Sequence, residues 1–252
     1  MTISEPKPSQ TQALRNLWKA AFGDSDGFLD MFYTRAYAPS RCRCVLDGDR
    51  IAAALYWFDC ICEGQKLAYI YAVATDPGYR NQGLCRRLMA DTHAHLKNLG
   101  CAGAILLPQD PGLRRMYRTM GYKNCTKIQE FTCRAAGDPA ALTELSTEAF
   151  AKKRKALLPP GSVIQEGGNL SYLSGYAKFY EGPGFLLTAF PDGGKLVGCE
   201  LLGDVTKAPG ILRAFGAESG SFRCPGADID WGMCIPFVDN FQKPLYFGFP
   251  FD

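Results

Sequence analysis

Apolar residues recur at helical spacing in "SQTQALRNLWKAAFG", where Leu14, Leu17, Trp18 and Phe22 fall on one face. Ser9 is a candidate N-cap and Gly23 a stop, so the stretch predicts a first helix. "SDGFLDMFYTRAY" repeats the pattern through Phe28, Met31, Phe32 and Tyr37 and predicts a second helix after a short turn. The period then changes. "RCRCVLDGDRIAAALYWFDCICEGQKLAYIYAVAT" reads as three β runs punctuated by Asp47-Gly48-Asp49 and Glu63-Gly64-Gln65, most simply an antiparallel meander. Helical spacing returns from about Gln82 to Leu99. A short buried strand, "CAGAILLP", follows, then a helix in "GLRRMYRTMGY" that stops at Gly121, then a strand of mixed polarity, "KNCTKIQEFTC". Helix, helix, three strands, helix, strand, helix, strand is the order of an α/β module with a mixed sheet, roughly 130 residues long.

After Cys133 the composition shifts at "RAAGDPAA", a linker leading into a further helix. "DPAALTELSTEAFAKKRKALL" and "GNLSYLSGYAKFY" read as helical, and "GFLLTAFP", "KLVGCELLG", "MCIPF" and "PLYFGFPFD" as strands, the last as a terminal strand packing on the sheet and helping to close an acceptor cleft. The second half thus repeats a helix-then-strand order without a visible sequence repeat. It is either a degenerate copy of the first module or another α+β module. With 252 residues the chain suits two small domains, expected over residues 1–133 and 134–252.

The remaining chain properties narrow the function classes. A hydrophobic share of 47% against 21% charged residues supports a sizeable core and leaves disorder only to the first few residues. No apolar run has the length of a membrane span, and "MTISEPKPSQ" has no signal-peptide core, so a cytoplasmic protein is expected. Eleven cysteines, an odd number scattered through strand-like runs, read as reduced and mostly buried. Cys42/Cys44 and Cys60/Cys62 alternate within strands rather than flanking a turn, which favours packing over zinc. His93 and His95 are two apart on a helix and make a poor metal pair. Residues 1–130 hold 17 Lys and Arg against 12 Asp and Glu, and residues 131–252 hold 11 against 13. That imbalance suits a small polyanionic ligand better than a nucleic-acid groove.

The candidate chemistry lies in "YRNQGLCRRLM", where a β-rich stretch ending in Pro77-Gly78 hands over to a helix N-terminus. Unpaired backbone N–H groups and the positive end of a helix dipole hold phosphate when the side chains leave the backbone accessible, and Gly83 gives that access. A glycine also serves any plain strand-to-helix turn, so the residues alone leave both readings open. Three linked features resemble the GNAT superfamily of acyl-CoA-dependent N-acyltransferases. Arg80-Asn81-Gln82-Gly83-Leu84-Cys85 is similar to that family's Arg/Gln-x-x-Gly-x-Gly/Ala loop at all but its last position; "VATDPGYR" resembles the strand and turn before it; "MYRTMGY" resembles its Leu-Tyr-x-x-x-Gly-Phe segment. The likeness covers about residues 10–130.

The resemblance implies an N-acetyltransferase that moves an acetyl group from acetyl-CoA to a primary amine, on a small molecule or on a peptide N-terminus or lysine, by direct attack in a ternary complex. It implies that the pantetheine arm pairs with strand backbone at Val73, Ala74 and Thr75. The diphosphate then rests on backbone N–H groups from Asn81 through Arg86, with Arg80 opening the loop and no metal needed. Tyr117 is implied as the general acid that protonates the departing thiolate. Cys85 departs from the pattern; a helix N-terminus lowers a thiol pKa, yet no base stands near it in the sequence, so it reads as a tolerated substitution. Asp110 stands where many members carry Asn, which puts one cofactor hydrogen bond in doubt. The general base is open among Asp59, Glu63 and Asp76, and Tyr69 and Tyr71 either wall an acceptor site or belong to the core. Arg213-Ala214-Phe215-Gly216-Ala217-Glu218 superficially repeats the loop, but Glu218 would set a carboxylate against the diphosphate. The rival reading is a non-catalytic CoA-binding or sensory protein.

Overall fold

The computed structural model describes residues 1–249. In chain order the elements are β1 (Thr2–Ser4), α1 (Thr11–Phe22), α2 (Asp26–Arg35), β2 (Cys42–Asp47), β3 (Arg50–Cys62), β4 (Gln65–Thr75), α3 (Leu84–Asn98), β5 (Gly103–Leu106), α4 (Pro111–Arg118) and β6 (Lys123–Asn124). They continue as β7 (Lys127–Arg134), β8 (Thr143–Leu145), α5 (Thr147–Leu157), α6 (Gly168–Leu173), β9 (Lys178–Gly182), β10 (Phe185–Asp192), β11 (Lys195–Gly203), α7 (Ala208–Phe215), β12 (Ser219–Pro225), β13 (Ile229–Asp230) and β14 (Met233–Pro236). The chain forms two compact units. One comprises Met1–Lys123 with Met233–Phe241; the other comprises Asn124–Gly232 with the segment from Gln242. The expected division after residue 133 meets a different partition: β7 belongs with the second unit, and β14 returns to the first.

In the first unit the sheet runs β1-β2-β3-β4-β5-β14-β6, with β4 and β5 the parallel pair. Alternation along β3 and β4 gives the sheet two apolar faces. Leu55, Trp57, Ala68 and Ile70 pack with Leu84, Leu88, Met89 and Leu96 of α3. Tyr56, Phe58, Tyr69 and Tyr71 turn the other way, against Trp18 of α1 and Phe32 of α2, with Trp18 to Phe32 ring centroids 4.6 Å apart and Trp18 to Tyr71 5.6 Å. The face-sharing of Tyr69 and Tyr71 is as expected; Tyr69 is core and Tyr71 is half-buried.

Several local expectations change. Thr2–Ser4, expected to be disordered, pairs with β2. A 3-10 turn at Pro8–Gln10 precedes α1, so Gln10 rather than Ser9 stands at its N-cap, while Gly23 ends it in the left-handed region at φ 77°. Ser25 caps α2 by accepting the Phe28 N–H at 3.2 Å. "KNCTKIQEFTC" is two strands, broken where the Cys125 N–H bonds the Gly232 carbonyl. Cys42, Cys44, Cys60 and Cys62 are buried free thiols, and burial pushes all four pKa values up. Among the described residues no cluster of three or more His, Cys, Asp or Glu could hold a metal ion.

The second unit repeats the first. Its succession β8-α5-α6-β9-β10-β11-α7-β12 matches β1-α1-α2-β2-β3-β4-α3-β5. Its sheet runs β8-β9-β10-β11-β12-β7-β13, again with the fourth and fifth strands parallel. The second half is thus a degenerate copy of the first fold. In each unit the strand beside the fifth comes from elsewhere in the chain: β14 beside β5, β7 beside β12. The stretches expected to be single helices contain β8 before α5, and β9 after α6.

A buried polar clamp fastens the chain's final segment within this unit. Arg154 Nε donates to Glu200 Oε2 at 2.6 Å and Nη2 to Oε1 at 3.0 Å, and the Tyr246 hydroxyl donates to the same Oε1 at 3.0 Å. The guanidinium lies 4.1 Å from the Phe249 ring centroid, and a Cβ on Gly248 would stand 1.7 Å from Glu200 Oε1, so only glycine passes. "PLYFGFPFD", expected as a strand, contributes the single bridge Ser162–Tyr246; its residues 250–252 lie outside the described residues. No described helix is long and apolar enough to cross a membrane.

Candidate active site

The site begins where two parallel strands part. β4 and β5 pair at Leu67/Gly103, Ala68/Ala104 and Tyr69/Ile105 and no further, so β4 from Ile70 to Thr75 leaves its β5-facing edge without a strand partner. On its other side β4 stays joined to β3 through Ala54/Ala74 and Ala53/Thr75, but with a bulge: Tyr56 opposes Tyr71 and Ala54 opposes Ala74. Two β4 residues, Ala72 and Val73, therefore stand against Leu55 alone, and Ala72 takes a left-handed φ of 48°. A bulge of this kind re-aims the strand and opens it. Val73, Ala74 and Thr75 lie on this edge, which has no strand partner on its β5 side.

The strand then turns into α3. Asp76 Oδ1 accepts the Gly78 N–H at 2.8 Å, which tightens the turn at Pro77–Tyr79, and the Tyr79 hydroxyl donates to Asp47 Oδ2 at 3.0 Å. Arg80 Nε reaches back to the Thr75 carbonyl at 3.3 Å. Asn81 and Gly83 adopt left-handed φ values of 63° and 72°, bracketing Gln82. Such alternation turns successive N–H groups toward one point. Gly83 is the N-cap of α3, and nothing lies within 4 Å of where its Cβ would be. The first closing bond is Arg87 N–H to the Gly83 carbonyl at 3.1 Å, so the N–H groups of Leu84, Cys85 and Arg86 have no partner within the helix. Arg80, Asn81, Gln82, Gly83 and Arg86 are exposed; Leu84 is anchored in the core.

Tyr117 joins this place through packing. Leu84 and Tyr117 are buried in one cluster, against which Val73, Cys85, Leu113, Met116 and Met120 pack. The structure therefore gathers the strand, loop and phenol residues that the sequence analysis picked from three separate stretches. Arg86 supports the arrangement, donating to the Thr119 carbonyl at 2.9 Å and to Thr119 Oγ1 at 2.7 Å, so the first turn of α3 holds the end of α4. No sequence signal pointed to that link, nor to the left-handed Ala72, because alanine does not mark such a conformation. Burial raises the Tyr117 pKa, so the phenol stays protonated at neutral pH. Burial also pushes the Cys85 thiol up, the opposite of what a nucleophile needs.

The other candidates separate from this constellation. Asp110 is the N-cap of α4 and accepts the Leu113 N–H at 2.8 Å. Asp59 lies 3.4 Å from Lys66 and 4.0 Å from Arg41, and Glu63 forms the β3–β4 turn at φ 48°. Asp76 is engaged in its own turn.

His93 Nε2 lies 2.8 Å from the Tyr122 hydroxyl, and burial lowers its pKa to about 4. Its folded pKa is below its unfolded value, so the stability linked to the neutral ring is complete above about pH 6.5 and drains away toward pH 4. Thermal melts over that range are expected to show roughly 2 kcal/mol more acid loss in the wild type than in His93→Gln, after allowance for residual exposure. Equal acid sensitivity would remove His93 from the account.

The second unit carries a worn version of the same geometry. β11 and β12 pair only from Lys195/Ser219 to Gly198/Phe222, and β10 to β11 shifts register between Thr188 and Ala189. Yet the second residue of α7 is Pro209, which has no N–H. The Ala136 and Ala140 N–H groups bond the Pro209 and Gly210 carbonyls, and a Cβ at Gly210 would meet the Asp138 carbonyl at 2.8 Å. The start of α7 is thus covered by its own unit. Arg213–Glu218 sits at the C-terminal end of α7, where Gly216 is the left-handed cap. A diphosphate finds no helix N-terminus there.

Comparison with known proteins places this geometry. Residues 2–125 match the family model described as "Acetyltransferase (GNAT) domain". No curated protein matches the chain by sequence. Among solved structures, the chain is similar to a GCN5-related N-acetyltransferase from Kribbella flavida, at 16% identity and a TM-score of 0.73 over 92% of this chain and 70% of that one. It is similar to a GCN5-related N-acetyltransferase from Anabaena variabilis ATCC 29413, at 16% identity and a TM-score of 0.73 over 92% and 72%. It also resembles Eis1 from Mycobacterium abscessus, at 11% identity and a TM-score of 0.67 over 94% and 74%. At these identities the likeness is one of fold, and it extends over both units.

Proposed function

Because residues 2–125 form a GNAT acetyltransferase domain, making the protein an acyltransferase, we propose that it transfers an acetyl group from acetyl-CoA to a primary amine by direct attack. The observation that carries this is the open wedge between β4 and β5, which leads to the uncovered N-terminus of α3. The wedge offers backbone partners to the amides of a pantetheine arm, and the N–H groups at Leu84, Cys85 and Arg86 face a diphosphate. No cation is required, because the helix end itself supplies the positive field.

In the ternary complex the neutral amine nitrogen attacks the thioester carbonyl carbon, and the tetrahedral intermediate collapses with cleavage of the C–S bond. The thiolate takes a proton from the Tyr117 hydroxyl, the nitrogen that becomes the amide gives its surplus proton to water, and water returns a proton to the Tyr117 phenolate before the next turnover. Tyr117 is assigned the donor role by its place, packed in one cluster with Leu84, Val73 and Cys85; burial raises its pKa, so the transfer depends on direct contact with the developing thiolate rather than on acid strength. Water as proton acceptor agrees with the engagements of Asp59, Glu63 and Asp76 in local contacts. Cys85 takes no covalent part.

Thiol release from acetyl-CoA, followed with a panel of primary amines and with mass spectrometry of the products, tests this reading. Tyr117→Phe is expected to lower kcat by about 10²-fold, within the range for loss of a general acid, while acetyl-CoA still raises the melting temperature as in the wild type. Undiminished turnover would remove Tyr117 from the mechanism. Binding of acetyl-CoA without acetyl transfer to any amine would favour the sensory reading.

A further inference from the structure

We propose that Asp24 and Tyr71 recognise a second, cationic group on the acceptor, so that the substrate class is an α,ω-diamine or polyamine. The inference rests on the acetyltransferase reading above. Its centre is Trp18, an indole 2% exposed on α1. Around that ring stand Phe22 at 5.8 Å, Phe28 at 6.4 Å and Tyr71 at 5.6 Å between centroids, and the indole Nε1–H donates to Asp24 Oδ2 at 2.7 Å. Phe22 is exposed, and Phe28, Tyr71 and Asp24 are half-buried. A buried ring thus supports an accessible aromatic rim that ends in a carboxylate.

Position gives this rim its meaning. Tyr71 is the last β4 residue before the bulge at Ala72 and Val73 and lies just past the final β4–β5 pair, at the mouth of the wedge. It projects from the sheet face opposite α3. On the acetyltransferase reading, a thioester brought through the wedge meets the acceptor on that face. Asp24 is held on the same indole through its Nε1–H, and is assigned the other end of a molecule whose amine reacts at the wedge.

Charge decides what that end carries. The neighbouring acids are already neutralised, Asp26 by Lys19 at 2.9 Å and Asp30 by Arg15 at 2.6 Å. Asp24 is held by a neutral N–H and pairs with no cation among the described residues. A carboxylate held by a neutral donor beside aromatic edges attracts an ammonium and accepts a hydrocarbon spacer. It repels the carboxylate of an amino acid. A monoamine reaches the wedge but leaves Asp24 unused.

The experiment compares 1,4-diaminobutane with n-butylamine as acceptors, with acetyl-CoA saturating. The wild type is expected to show a kcat/KM at least about tenfold higher for the diamine, the return on one charge-assisted contact. Asp24→Asn is expected to raise KM for the diamine by about tenfold and erase the preference, with the KM for acetyl-CoA and the melting temperature as controls on fold and cofactor site. Equal use of the two amines by the wild type would overturn the inference, as would a preserved preference in Asp24→Asn; either leaves the acetyltransferase reading standing. Acetyl-CoA binding without acetylation of the diamine overturns it too. Failure to bind acetyl-CoA at all would overturn both.

Discussion

Gly83→Glu is expected to abolish acetyl-CoA binding. In the wild type, acetyl-CoA at a hundredfold excess over its dissociation constant is expected to stabilise the native state by about 2.7 kcal/mol, which a thermal melt reads directly. In the variant that shift should vanish. Two effects of the substitution act together. The φ of 72° at Gly83 is costly for any side chain. The space around the missing Cβ is open, so a glutamate there has room beside the protein; on the proposed reading it enters the volume assigned to the diphosphate and brings a negative charge with it. Gly83→Ala separates the two, since it carries the backbone cost without the charge and should keep a measurable shift. An unchanged acetyl-CoA shift in Gly83→Glu would move the diphosphate away from α3.

The same glycine shows what was legible before the structure. Gly83, Tyr117 and the strand before the loop were readable because each leaves a local mark: a glycine at a strand-to-helix turn, a Tyr in a short amphipathic helix, an alternating apolar run. The fold of the first unit followed from period changes at Gly23, Asp47–Asp49 and Glu63–Gln65. What could not be read depends on partners distant in the chain. The bulge at Ala72 arises from the mismatch between β3 and β4 and leaves no residue type behind. Nothing in the sequence around Asp24 marks the Trp18 N–H that holds it. β8 and β9 were hidden in helical-looking stretches because each is short and takes its conformation from its neighbours in the sheet. The return of β14 to β5 joins residues about 130 apart, and a four-residue apolar run does not announce its partner.

That return leads to the second large effect. A chain ended after Cys133, at the boundary the sequence suggested, is expected not to form a stable acetyl-CoA-binding domain. Such a fragment keeps β1 to β6 but lacks Met233–Phe241, which belong to the first unit. β14 covers the full length of β5 through Met233/Leu106, Cys234/Ile105, Ile235/Ala104 and Pro236/Gly103. Without it a fully buried strand becomes an edge with unpaired backbone groups. Met233, Ile235 and Phe237 also leave the cluster that contains Leu84 and Tyr117. At about 1.5–3 kcal/mol for each buried side chain the loss rivals the whole stability of a small domain. β7, still present in the fragment, is a poor replacement: along its eight residues only Ile128 is buried, whereas β14 buries Met233 and Cys234 in four. Circular dichroism melts of residues 1–133 should show no cooperative transition comparable with that of the full chain, and acetyl-CoA should give no shift. Adding Met233–Phe241 through a flexible linker should restore both. A fragment of residues 1–133 that melts cooperatively near the full-chain temperature would show that the first unit does not depend on its returning strand.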